Sequence, residues 1–374
     1  MSAVGAAPVA FLDLAAERAA LGPELEAAVL RVLRSGQYVL GPEVERFEHD
    51  FARFCGVSHA VAVSTGTEAL VLGLRALGVE PGDAVLTSPF TFFASAGTIA
   101  WIGARPRFAD VDLATGLLDV KAVERALDGS TRAIVPVHLY GQLADVRALR
   151  ALADPRQVAV LEDGAQAHGA ERDGARCGAL GHAGTYSFYP TKNLGAAGEG
   201  GLVTTNDAAI ATRLRELRDH GSPAKYRHAH VGTNARMQAF QGAVLNVKLP
   251  HLESWNQARR ANAARYDEAF RGAQTVVPLE RVPGTHVFHQ YTVRIPSGER
   301  DALQAALATE GIATGVHYPL PVHLQEAARP WGHGPGDFPN AERLAREVLC
   351  LPIHPFLTPA EVDRVAEAVL RLAR

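Results

Sequence analysis

Cysteine is scarce: Cys55, Cys177 and Cys350 are scattered and form no C-x-x-C pair. That argues against a disulfide framework and a thiolate zinc site, and fits a reducing cytoplasm. No apolar run approaches membrane-spanning length. The stretch from Met1 to Phe11 lacks a basic leader and is followed by Asp13, which argues against a secretory signal. Charge of one sign is not in excess either. With a net charge of -3, neither nucleic acid nor an acidic membrane is implied as a partner. G-x-G-x-x-G and G-x-x-x-x-G-K-[ST] are absent, so neither a Rossmann dinucleotide loop nor a P-loop is supported. His228 and His230 stand two apart, but no carboxylate or thiolate sits at matching spacing, and no metal site is expected.

What is present is an ordinary globular balance, 47% hydrophobic over 374 residues, enough for two domains. From 58 to 205, short apolar runs alternate with helical stretches. The runs are His59–Ser64, Ala84–Ser88, Ala133–Leu139, Val158–Asp163, Gly184–Tyr189 and Gly201–Thr205. Thr67–Leu77, Val120–Leu127 and Val146–Leu152 carry helical spacing. Such alternation predicts a mostly parallel sheet covered on both faces. Beyond Leu249 the pattern changes. A polar helix over 252–270, a strand over 287–295, a helix over 300–310, a strand over 313–317, a Pro/Gly-rich loop over 329–339 and two closing helices predict a smaller α+β domain. The expected division is 1–249 and 250–374.

Three features carry chemistry. Asp163 ends an apolar strand, where ligands of open parallel sheets bind. There it would hold a proton on a pyridine nitrogen, although by itself it reads first as a helix N-cap. Lys192 follows the aromatic run Thr185–Pro190 in apolar surroundings, where a desolvated amine becomes nucleophilic; most lone lysines are solvated surface charges. Ser64-Thr-Gly-Thr-Glu68 forms a strand–turn–helix whose N–H groups at Gly66, Thr67 and Glu68 would seat a phosphate. Thr65-x-x-Glu68 also matches a capping box. Phe92 would stack on a planar cofactor, or simply fill core. Seat, aromatic, aspartate and lysine follow one another in a single chain.

With these in order, the chain resembles the DegT/DnrJ/EryC1/StrS sugar aminotransferases, within the fold type I pyridoxal phosphate enzymes. Gly36–Glu43, Ser64–Glu68, Pro136–Gln142, Glu162–Gly169, Ser187–Gly195, Gly198–Gly201, Gly232–Arg236, His317–Pro319 and Leu351–His354 carry the likeness. It implies an aspartate aminotransferase-like α/β fold: a mostly parallel seven-stranded sheet flanked by helices, plus a smaller C-terminal α+β domain. It implies pyridoxal 5'-phosphate as cofactor, with Lys192 as the Schiff-base lysine and Asp163 as partner of the ring nitrogen. Gln166 would meet the ring hydroxyl and Phe92 would stack on the ring. Gly66, Thr67 and Ser187 would hold the phosphate, joined by Asn234 from the second subunit of a homodimer with shared active sites. Tyr189, Lys225, Tyr226, Arg236, His317, Tyr318 and His323 match positions near the sugar nucleotide. Gly164 departs from the alanine usual in the family and would loosen the turn after Asp163.

The expected reaction moves an amino group from L-glutamate, leaving 2-oxoglutarate, to a nucleotide-linked keto sugar. Gln166 and the Lys225–Arg236 stretch resemble enzymes that aminate C3, which favours a dTDP-3-keto-6-deoxyhexose. A UDP-linked 3-keto-N-acetylhexosaminuronate, a 4-keto sugar and a non-catalytic regulator on the same fold are the rivals. Lys225 reads as a diphosphate partner or as a mobile loop lysine.

Overall fold

Short runs rich in Val and Ala pair into one sheet because both of their faces are covered. The computed structural model describes residues 7–373; residues 1–6, part of the stretch read as lacking a leader, and Arg374 lie outside them. The strands in chain order are β1 (His59–Val63), β2 (Ala84–Thr87), β3 (Arg105–Phe108), β4 (Thr131–Val135) and β5 (Ala159–Asp163). A two-residue hairpin, β6 (Glu171–Arg172) and β7 (Ala175–Arg176), precedes β8 (Ala183–Ser187) and β9 (Gly201–Thr205). The seven-stranded sheet has the order β1-β9-β8-β5-β4-β2-β3. Only β9 runs antiparallel to its neighbours. β1, β2, β5 and β8 therefore end at the same side of the sheet, and their carboxyl ends supply the site.

The periodic runs appear as strands, with ends moved by up to four residues. Ala133–Leu139 stops pairing at Val135, and residues 139–141 turn instead. β3, Arg-Pro-Arg-Phe, has no apolar signature; it is an edge strand, where a proline and the exposed Arg105 are tolerated.

Helices cover both faces: α1 (Leu14–Ser35), α2 (Pro42–Cys55), α3 (Gly66–Ala76), α4 (Ala94–Trp101), α5 (Val120–Ala126), α6 (Val146–Ala153), α7 (Ala208–Leu217) and α8 (Ala239–Lys248). Gly73 lets α3 approach the sheet closely, since a Cβ there would lie 3.0 Å from Leu161. Leu74 is fully buried beside it, and trimming such a leucine to alanine costs about 2–5 kcal/mol.

α9 (Leu252–Ala269), α10 (Arg300–Thr309) and α12 (Pro359–Leu372) pack on an antiparallel three-stranded sheet of β10 (Val277–Pro278), β11 (Tyr291–Arg294) and β12 (Val348–Leu351). α11 (Pro339–Glu347) leads into β12. The strand expected over 287–295 is ordered as a ladder only from Tyr291. Residues 313–317 contribute a single bridge, Gly315 to Cys350. Both irregular stretches border the cavity described next. No described helix is long and apolar enough to cross a membrane.

Candidate active site

A cavity of about 760 Å³ opens where β1, β2, β5 and β8 end, closed on its far side by 317–318, Arg259 and Ile353. Ten of the sequence-predicted residues line it: Gly66, Thr67, Phe92, Asp163, Gln166, Ser187, Tyr189, Lys192, His317 and Tyr318.

Asp163 is 4% exposed. Its Oδ2 accepts from Ser95 Oγ at 2.8 Å and its Oδ1 from Ala165 N at 3.1 Å. No helix follows it, so the N-cap interpretation of this carboxylate falls away. Ser95 Oγ in turn lies 3.0 Å from Thr91 Oγ1. Gly164 admits a tight turn rather than a loose one. A Cβ there would come 2.5 Å from Cys177 Sγ and 3.0 Å from Thr185 O, so glycine here is matched to the buried Cys177.

The Lys192 amine is pushed down to about 8 by burial, against the opposing pull of the Asp163 charge. Three histidines surround it, each held below the usual imidazole range by burial first and by the Lys192 charge second: His168 at about 3, His317 at about 4, and His289 well below. They stay neutral and add no imidazolium charge beside the amine. Asn193, the next residue, donates to Asn256 Oδ1 and Val287 O, both at 2.9 Å, which anchors the lysine's turn to α9. From the other side Lys248 Nζ donates to Gly195 O at 2.7 Å and pairs with Glu17.

The turn from β1 into α3 is capped by Thr65, whose Oγ1 accepts from Glu68 N at 3.0 Å. Only this half of the capping box forms. Glu68 does not reach back; its Oε2 is buried without a partner, and burial raises its carboxyl. Gly66 lies against β8 so closely that a Cβ would meet Ser187 Cβ at 2.5 Å. Backbone donors at the start of α3 and the Ser187 hydroxyl thus border a space that only a glycine leaves open. This cradle, a depressed amine and a buried carboxylate form a donor set that fits pyridoxal phosphate.

Gln166 is pinned from two sides: Oε1 accepts from Tyr140 N at 2.6 Å, and Nε2 donates to Tyr318 Oη at 3.2 Å. Phe92, 58% exposed, faces the cavity with its ring 6.0 Å from that of Tyr318. Tyr140 Oη donates to His317 O, and Phe11 stacks on the His317 imidazole at 5.9 Å.

The remaining predicted residues lie elsewhere. Asn234, Lys225, Tyr226 and Arg236 are not among the cavity-lining residues of this subunit. Asn234 Oδ1 accepts from Arg236 Nε at 3.0 Å on an open surface, and Arg236 pairs with Asp219 at 3.3 Å. Lys225 and Tyr226 are exposed, the ammonium 5.2 Å from the tyrosine ring centre. His323 is 2% exposed, packed on Phe338, with Nε2 3.2 Å from Glu342. Of the H-x-H pair, His228 Nδ1 lies 2.9 Å from His220 O, and His230 pairs with Glu216 at 3.3 Å.

Sequence reading missed Ser95, Arg259, His289 and Gln290 in the cavity wall. Ser95 is two residues past an aromatic run and has no motif of its own. The other three belong to segments read as helix and strand, where nothing in the spacing marks a cavity.

His138, Glu162 and Cys177 also cluster, with ligand-type atoms within 4.8 Å of one another. Their lone pairs are taken. Glu162 accepts from Gly178, Leu180 and Gly181 N–H groups and lies 2.9 Å from His138 Nε2, while His138 Nδ1 accepts from Ala144 N. Burial raises the Cys177 thiol far above its usual range. The trio is a satisfied polar knot on the side of β5 facing away from Asp163.

Comparison with known proteins agrees with this geometry. The model of the DegT/DnrJ/EryC1/StrS aminotransferase family matches residues 20–370. The dTDP-3-amino-3,4,6-trideoxy-alpha-D-glucose transaminase of Streptomyces venezuelae is 46% identical over 96% of this chain and 95% of its own. A pleiotropic regulatory protein of Geobacillus stearothermophilus is 45% identical over 98% and 99%. The crystal structure of S. venezuelae DesV superposes with a TM-score of 0.96 at 45% identity, covering 99% of both chains. The PLP form of the sugar aminotransferase Spr1654 from Streptococcus pneumoniae gives 0.89 at 25% identity, covering 94% and 96%.

Proposed function

The chain belongs to the DegT/DnrJ/EryC1/StrS aminotransferase family, and from that membership we propose that it uses pyridoxal phosphate to move an amino group from L-glutamate to C3 of a dTDP-linked 3-keto-6-deoxyhexose. One observation carries the chemistry: a desolvated lysine and a buried, hydrogen-bonded carboxylate line the same cavity as an open phosphate cradle. The S. venezuelae transaminase supports the choice of a dTDP-linked 3-amino sugar.

When bound, the cofactor supplies an aldehyde carbon that takes up the amino group and a ring that withdraws electrons from it. Asp163, fixed by Ser95 and Ala165, holds a proton on the ring nitrogen. Lys192 Nζ, whose affinity for a proton is lowered by burial, would take the proton from the donor's α-carbon and deliver one to the carbon of the cofactor's aldehyde, general base and acid work by one amine. Gly66, Thr67 and Ser187 seat the phosphate, Gln166 orients the ring hydroxyl, and Phe92 covers a ring face and excludes water. Tyr189, His317 and Tyr318 bound the sugar's side of the cavity.

Asn234, Lys225, Tyr226 and Arg236 would complete the site from the partner subunit of a homodimer, with Asn234 of the partner subunit on the phosphate and Lys225 on the nucleotide diphosphate. Asn234, Lys225 and Tyr226 are exposed and Arg236 half-buried, all outside this subunit's cavity, which is consistent with that use. His323, matched by resemblance to a position near the sugar nucleotide, is outside this cavity and packed on Phe338, so we give it no contact with the sugar. Residues 1–249 form the cofactor-binding unit and 250–374 the smaller one. The reaction takes place in the cytoplasm.

A regulator without catalysis would need no desolvated amine opposite a buried carboxylate, and keeping both is costly in a fold. The test is a panel of dTDP-3-keto, UDP-3-keto and 4-keto sugars incubated with the holoprotein and glutamate. Production of 2-oxoglutarate with the dTDP-3-keto sugar is expected; none with any ketone would refute the assignment.

A further inference from the structure

Arg259, on α9, lines the same cavity beside His289, Gln290 and Ile353. It is 4% exposed. Its Nη1 donates to two backbone carbonyls, Phe288 O at 3.2 Å and Ile353 O at 3.4 Å. Nε is buried with no partner, and among the described residues no carboxylate lies within 4.0 Å of the guanidinium. Glu17 is the anion that acts on it from a distance, but Glu17 is already paired with Lys248.

A buried cation with no counter-ion is costly, and folds rarely retain one unless an anion arrives later. Burial pushes this guanidinium down to about 10, against the distant pull of the Glu17 charge. Carbonyl bonds occupy one nitrogen and leave Nε unpaired. A guanidinium edge with free N–H groups matches a carboxylate in planar, two-point fashion.

We propose that Arg259 is the carboxylate receiver for the amino donor, the residue that makes the site select a compact dicarboxylic amino acid. This rests on the assignment of glutamate as donor. The enclosure of the guanidinium argues for a small anion. The wall here includes Phe11, Leu12 and Ile353, whose apolar side chains offer nothing to a bulky, highly charged diphosphate. The cofactor's phosphate has its own cradle at Gly66 and Ser187.

The test is made on the holoprotein with Arg259→Gln and Arg259→Lys, measuring the Kd of 2-oxoglutarate and of dTDP by calorimetry. Glutamate KM and kcat are measured alongside. Arg259→Gln should weaken 2-oxoglutarate about 10- to 100-fold, the value of a lost charged hydrogen bond, with dTDP affinity held within about 3-fold. Its glutamate KM should rise more than its kcat falls. If melting shows that Arg259→Gln does not fold, Arg259→Lys decides: it keeps the charge but loses the fork, and should weaken 2-oxoglutarate about 10-fold. Wild-type affinity for 2-oxoglutarate in the folded variant, or a loss confined to dTDP, overturns the proposal. A wild-type protein that binds 2-oxoglutarate through Arg259 but aminates no ketone would sink the proposed reaction and leave this anion site standing.

Discussion

Ser95 Oγ donates a 2.8 Å hydrogen bond to Asp163 Oδ2, linking the start of α4 to the end of β5 across the floor of the cavity. Both side chains are almost fully buried, and Thr91 continues the chain of hydroxyls. The carboxylate is therefore held in one orientation before any ligand arrives.

Removing that hold should be felt in the chemistry more than in the fold. Ser95→Ala leaves Asp163 with one donor and is expected to lower kcat about 10-fold, the worth of one hydrogen bond to a charged group. Steady-state kinetics with a melting curve as control checks this; an unchanged kcat would show that Asp163 needs no such support.

Lys192→Ala removes the amine that attaches the cofactor and moves the proton. Turnover is expected to fall more than about 1,000-fold, and the visible absorbance of covalently held cofactor should disappear. Absorbance spectra before and after reconstitution, with single-turnover rates, decide it.

The pH dependence of the cofactor-free protein follows from the same lysine. Its amine titrates near 8 in the fold against 10.5 when unperturbed. Between these values the unfolded chain holds the proton and the folded one does not, so folding stability from this group rises with pH across that window. Below pH 8 the cost of the buried charge is fully present. Lys192→Met should accordingly raise the melting temperature of the cofactor-free protein at pH 7, with the gain fading as pH approaches 10.5. Cofactor reconstitution of the wild type should accelerate through pH 8. A flat difference in melting temperature across pH would contradict the depressed amine.

Gly66→Ala puts a methyl carbon 2.5 Å from Ser187 Cβ, a separation that forces the two segments apart. Cofactor affinity is expected to drop about 10- to 100-fold as the cradle's donors move out of reach, two lost hydrogen bonds to an anion. Equilibrium dialysis against the cofactor measures it; Gly82→Ala, at a position with open space around it, provides a comparison in which only backbone strain at its φ of +92° enters.

Much of this architecture was written in the order of residues. Apolar strands of four to six residues between helical stretches specify a parallel sheet, because only a sheet buried on both faces needs Val61, Leu86, Ile134 and Leu161 together. The motif spacing around Ser64–Glu68, Asp163 and Lys192 likewise announced the site, since each is a local strand-to-loop junction whose chemistry is visible within a few residues. Edge strand β3 escaped because Arg-Pro-Arg-Phe buries too little to leave a pattern. The strand expected over 287–295 is shorter in the fold, Tyr291–Arg294, because the backbone at His289 and Gln290 leaves the ladder to border the cavity.

The sequence by itself determined the class of fold, the lysine, the carboxylate and the phosphate seat: local patterns fix these, and a few neighbours suffice to express them. Only the tertiary structure decided that Ser95 holds Asp163, that Cys177 requires Gly164, and that Arg259 faces the cavity without a counter-ion. The first two relations join residues 68 and 13 positions apart, and Arg259 is held by carbonyls 29 and 94 positions away; charge balance or close contact at such separations exists only after the elements have packed.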